Sequence, residues 1–142
     1  MKKFLCLFAA ATALLTGCVS VENISEAQLI MDKEIKMGET MLDAFAKRDF
    51  EAFMQYTPAG SREQYNKDKF IEEQRELISR MGEVDSYRFL TKLEFEPMHQ
   101  YVWAVRFLSY SLKGEKIYKE CLFVIVVGEV DEQRKVFLFG FK

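Results

Sequence analysis

The sequence predicts an α+β domain in which N-terminal helices pack on a four-stranded antiparallel sheet. Three observations predict it. Apolar residues recur at helical spacing as far as Met81 and at alternate positions from Tyr87 onward. Both prolines, Pro58 and Pro97, fall at connections. The 142 residues, 49% hydrophobic and 30% charged, suit one ordinary globular domain behind a short leader.

The leader comes first. Lys2 and Lys3 precede an apolar stretch from Phe4 to Leu15, too short to span a bilayer and typical of a secretory signal. Its end, Leu15-Thr16-Gly17-Cys18, resembles the bacterial lipobox, in which the cysteine thiol receives a diacylglycerol and becomes the mature N-terminus. Lipid attachment is therefore expected at Cys18. Each buried methylene contributes about 0.8 kcal/mol, so the three acyl chains such proteins carry hold them firmly in the membrane. Val19 after the cysteine resembles outer-membrane lipoproteins, which places the domain in the cell envelope, facing the periplasm in a Gram-negative host. The resulting partition is 1–17 signal peptide, 18–27 lipidated tether and 28–142 a single domain. Removing the leader takes Lys2, Lys3 and Cys6 with it, and with Cys18 acylated Cys121 has no thiol to pair with.

From Glu26 to Lys47, Met31, Ile35, Gly38, Leu42 and Phe45 form one amphipathic stripe. A glycine inside a helix costs about 1 kcal/mol relative to alanine, so Gly38 on that stripe predicts a close approach to whatever the helix packs on. Asp49 caps a short helix carrying Phe50, Phe53 and Met54, which stops before Thr57-Pro58. Ser61 with Gln64 reads as a capping box opening a third helical region whose Phe70, Leu77, Ile78 and Met81 face inward before Gly82. Glu72, Glu73, Arg75 and Glu76 form its wet face.

Four strands follow: Tyr87 to Glu96, Tyr101 to Ser111, Ile117 to Val127 and Val136 to Lys142. Pairing Phe95 with Tyr101, Lys113 with Lys116 and Gly128 with Lys135 sets the faces, since a one-residue slip inverts them. That register turns Tyr87, Phe89, Leu93, Phe95, Tyr101, Trp103, Val105, Phe107, Leu122, Val124, Val126, Phe137, Phe139 and Phe141 inward. Outward it turns Arg88, Lys92, Glu94 and Arg106, together with Leu108, Tyr110, Cys121, Phe123, Ile125 and Leu138.

This order of elements, closing on Arg134-Lys135-Val136-Phe137-Leu138-Phe139-Gly140-Phe141, with Ala46-Lys47-Arg48-Asp49-Phe50 leading into the second helix and Met81-Gly82 before the first strand, resembles the nuclear-transport-factor-2-like superfamily and its cystatin-like cone. Within it the chain looks most like small bacterial lipoproteins and periplasmic domains of unknown function. The resemblance covers about residues 28–142. It implies a curved sheet wrapped around the first helix, often dimerising through its outer face, and no particular reaction.

The residues exclude more chemistry than they suggest. A near-neutral charge gives no field for nucleic acid. One histidine and three cysteines argue against a metal centre or disulfide framework, and the methionines stand at helical spacing as core filler. No cofactor is expected. The inward face, so read, offers the hydroxyls of Tyr87, Tyr101 and Thr91 but no carboxylate or histidine, so no catalytic residue is assigned and the domain is read as non-enzymatic. Asp43 falls at a helix flank and His99 in an exposed turn. Cys121, mid-strand, stands too far from His99 to form a nucleophile pair. Two functions remain. One is an interaction or scaffold module, binding a protein partner or a second copy through Leu108, Tyr110, Phe123, Ile125 and Leu138, a patch on the order of several hundred Å2. The alternative is an apolar small-molecule site around Tyr87, Phe89, Trp103 and Phe107.

Overall fold

The computed structural model describes residues 25–142, so the leader and Cys18 lie outside the described residues. Helix α1 (Glu26–Lys47) begins where the Ser25 hydroxyl accepts from the Gln28 N–H at 3.2 Å, two residues inside the segment read as tether. It ends at Arg48, left-handed at φ 60°, whose N–H returns to the Ala44 and Phe45 carbonyls. Asp49 caps α2 (Phe50–Met54) by accepting from the Ala52 N–H at 3.1 Å.

The third helical region is two helices, α3 (Ser61–Gln64) and α4 (Lys67–Met81). Ser61 caps nothing; the capping side chain is Asn66, whose Oδ1 accepts from the Lys69 N–H at 3.0 Å. Tyr65 breaks the run at φ −127°, ψ 85° and packs its ring on Phe53 and Phe139 at 6.3 and 5.0 Å. Burial of that ring outweighs the capping box at Ser61, and Asn66 restarts the helix.

Strands β1 (Glu83–Phe95), β2 (Met98–Tyr110), β3 (Lys116–Val130) and β4 (Gln133–Phe141) form one antiparallel meander in the order β1-β2-β3-β4. The sheet is curled and unclosed, with the helices against its inner face. Gly128 pairs with Lys135 as expected, but the other two pairings differ. Phe95 pairs with Met98 across the two-residue turn Glu96-Pro97. Tyr110 pairs with Lys116 across a five-residue loop, in which the Ser111 hydroxyl accepts from the Lys113 and Glu115 N–H groups at 3.2 and 3.1 Å.

That loop is three residues longer than a tight Gly114-Glu115 turn requires, and the odd difference inverts β3. Phe123, Ile125 and Val127 are buried inside, opposite Trp103, Tyr101 and His99, while Leu122, Val124 and Val126 face outward. Bulges complete the change. An extra residue at Leu90 turns Lys92 and Glu94 inward and Leu93 and Phe95 outward; one at Phe137 leaves Val136, Phe139 and Phe141 inside and puts Leu138 outside.

The core therefore draws on every element but α3, joining Met41, Phe45, Phe53 and Phe70 of the helices to Trp103, Phe107, Phe123 and Ile125 of the sheet. The closest approach falls at Gly38. A Cβ built there would stand 2.1 Å from Trp103 Cη2, so the indole lies against the bare helix backbone.

Candidate functional site

The residues expected to line a small-molecule site are packed instead. Trp103 and Phe107 are wholly buried. Phe89 meets Trp103 at 5.6 Å and Tyr101 at 6.3 Å, and Gly38 closes the far side of the indole. The Tyr87 hydroxyl donates to Asp43 Oδ1 at 2.7 Å, tying β1 to the flank of α1. Burial first, then that bond, pushes its ionisation well above the usual tyrosine range.

At one end of the cone lies a constellation that the sequence reading did not find. Glu34 of α1 is completely buried. Its Oε2 accepts from the Tyr101 hydroxyl and faces His99 Nδ1 at 2.9 Å, while Oε1 stands 2.6 Å from Arg134 Nε, an ion pair whose N–H is not aligned on the oxygen. The chain of charges runs on outward: His99 Nε2 to Glu94 Oε2 at 3.2 Å, Glu94 to Lys92 at 2.8 Å, and Arg134 to Glu129 at 3.7 Å. The Lys92 hydrogen bond is the main cause holding the exposed Glu94 carboxyl below its usual range. Burial, then the Glu34 bond, drives the Tyr101 hydroxyl far above the tyrosine range.

Two expectations are corrected here. The inner face does carry a carboxylate and the histidine, because the two-residue turn carries His99 into β2 instead of leaving it in an exposed loop, and because Glu34 sits on the buried stripe of α1. The signal for Glu34 was present, since it lies three residues after Met31 and four before Gly38, on their face. Chemically the arrangement is a buried carboxylate whose Oε2 is held by two side chains and whose Oε1 has only the ion pair with Arg134, with a relay from Tyr101 through Glu34 and His99 to Glu94 at the rim. Three clefts among the described residues open elsewhere, with none of these side chains in their walls. It joins α1 to β2 and β4.

The interface residues divide. Leu138 (61% exposed) and Tyr110 stand on the outer face with the half-buried Leu108, whereas Phe123 and Ile125 are core residues, placed there by the five-residue loop that inverts β3. In their place the outer face presents Leu93, Phe95 (55% exposed), Met98, Leu122 and Phe137 around Val102, Ala104, Val124 and Val126. Its charges stand at the two ends, Lys135 at one and Arg88, Arg106 and Glu120 at the other. Cys121 is half-buried opposite Val105, its thiol pushed up by burial, six residues along β3 from the partner of His99 and so about 20 Å away.

No protein-family model matches the chain, and no curated protein matches it. Solved structures share its fold. The chain is similar to Aln2 from a Streptomyces species at 12% identity and a TM-score of 0.55, over 80% of this chain and 90% of that one. It is also similar to an NTF-2-like protein of unknown function from Shewanella oneidensis (12% identity, TM-score 0.46, 79% and 98% covered). The association domain of C. elegans CaMKII is a further similar structure (12%, 0.49, 83% and 99%). What is shared with Aln2 at such an identity is the fold, helices on a curled four-stranded antiparallel sheet, and no reaction or partner travels with it.

Proposed function

We propose that this chain is an envelope-anchored lipoprotein whose domain is a non-enzymatic interaction module, pairing with a second copy through the outer face of its sheet. The observation that carries the reading is the uncharged middle of that face, where Leu93, Phe95, Met98, Leu122, Phe137 and Leu138 are all exposed. An apolar surface of this extent on a soluble domain calls for a cover. A two-fold axis through its middle brings apolar rows onto apolar rows and leaves the charges at the rim, whereas a strongly charged partner would find nothing in that middle to read. Acylation at Cys18 supports the same reading, because confining copies to one plane raises their effective concentration.

Sedimentation velocity on residues 25–142 tests the pairing. A dimer is expected, and Leu138→Asp or Phe95→Asp should give monomers with an unchanged far-ultraviolet spectrum. A wild-type monomer throughout the concentration range would contradict it. The anchor is tested apart from this: the mature N-terminal peptide should carry diacylglycerol on Cys18, and Cys18→Ser should leave the leader uncleaved.

A further inference from the structure

A cleft of about 500 Å3 runs between the open edge of β4 and helix α4, with Phe45 and Phe53 on its floor. Five consecutive residues of the strand, 137–141, form one wall; Lys69, Glu73, Glu76 and Arg80 stand on the other. The hydrogen-bond pattern of β4 shows what that edge offers. Leu122 and Lys142 exchange both N–H···O bonds, at 3.0 and 2.8 Å, so by antiparallel alternation Val124–Gly140 and Val126–Leu138 are the bonded pairs. The N–H and C=O groups of Phe139 and Phe141 therefore point away from β3, along the cleft. One rung at this edge is already filled: the Val136 N–H donates to the Tyr56 carbonyl at 2.9 Å, just after α2. The chain then turns off into Pro58, and the rungs at Phe139 and Phe141 go on without it.

We propose that the β4 edge takes up an extended segment of another protein as a fifth strand, continuing the ladder that Tyr56 begins and setting small apolar side chains at alternate positions onto the aromatic floor. The dimensions suit it. From Lys69 to Arg80 the helix wall is about 16 Å long at 1.5 Å per residue, which matches four or five residues at about 3.3 Å each. The charges suit an uncharged segment, because those of the helix wall are already engaged. Glu76 pairs with Arg80 at 3.9 Å, Glu73 accepts from the Tyr65 hydroxyl at 2.8 Å, and Lys69 lies 5.5 Å from the Tyr65 ring centre. A helical ligand has spent its own backbone groups internally and leaves the edge unpaired, while an extended one satisfies both sides. This cleft shares Phe137 and Leu138 with the rim of the outer face, but the rungs at Phe139 and Phe141 do not depend on pairing there.

The test is amide hydrogen exchange by NMR on the full chain in detergent micelles, with the blocked peptide acetyl-Ser-Val-Ser-Val-Ser-amide as probe. Exchange at Phe139 and Phe141 should slow about tenfold at saturating peptide. The same peptide N-methylated at alternate residues, which cannot form rungs, should leave it unchanged. Gln64→Trp, on the exposed short helix at the mouth of the cleft, should weaken peptide binding about tenfold without altering self-association. No protection by the peptide overturns the proposal. So does equal protection by both peptides, which marks an apolar ligand, or peptide-free protection that grows with protein concentration, which marks a second copy. Peptide-free protection independent of concentration also overturns it, since this chain would then supply its own strand.

Discussion

Gly38 and Glu34 lie one helical turn apart on the same stripe of α1, and each has a consequence that one substitution can measure. At Gly38 alanine would gain about 1 kcal/mol in helix propensity but must displace the indole of Trp103, an overpacking that costs about 1–3 kcal/mol. With a clash of 2.1 Å against a fully buried ring the second effect wins. Gly38→Ala is expected to lower the thermal midpoint and to shift Trp103 emission; an unchanged or raised midpoint would mean that the helix can back away. At Glu34 the replacement by Leu strips the acceptor from Tyr101, His99 and Arg134 together. Breaking a buried pair costs about 3–5 kcal/mol, and the quarter exposure of Arg134 puts the expected loss near the lower figure, read from urea denaturation. A neutral result would show that the cluster adds nothing to stability. Gly38 was legible because a glycine on an apolar stripe fits little besides a close approach of the helix to its neighbour. Glu34 shared its register but was passed over, because a charge among charges reads as solvated until the partners that neutralise it are known, and those lie 65 to 100 residues away on β2 and β4.

At the scale of elements, periodicity showed where the helices and strands are and left their facing to the connections. Alternation says that neighbours point opposite ways, not which way is in; one five-residue loop reversed β3, a bulge at Leu90 reversed the end of β1, and a bulge at Phe137 turned that ring outward while Phe139 and Phe141 kept their expected inward facing. No residue at Leu90 or Phe137 announces a bulge. The same elements are fastened by three tyrosine–carboxylate bonds: Tyr101 of β2 to Glu34 and Tyr87 of β1 to Asp43, both on α1, and Tyr65 at the α3–α4 break to Glu73. Burial is the first cause that raises the ionisation of all three, and the carboxylates add to it. Because the folded values lie above the ordinary one near 10, the stability these hydroxyls contribute is fully present below that pH and is lost as pH rises through the folded values. In an alkaline titration, tyrosinate absorbance from Tyr65, Tyr87 and Tyr101 is expected to appear only with the loss of the far-ultraviolet helix signal. Complete tyrosine ionisation with the helices intact would contradict this.

For the whole molecule, the α+β class was legible from the switch of period alone, since helices with one apolar face and strands with one apolar face have few ways to bury both, while the curl of the sheet was expected only from the family resemblance. An apolar outer face was legible as well, though not its membership, which passed from Phe123 and Ile125 to Leu122, Phe137 and the turned-out ends of β1. The proposed pairing of copies uses that face. Methyl NMR across a dilution series tests it most directly. The methyl signals of Leu122, Val124 and Leu138 should move together with concentration while those of Ile125 and Val127 hold still. Signals that stay fixed on the outer face at every concentration, or that move only in the core, would contradict it.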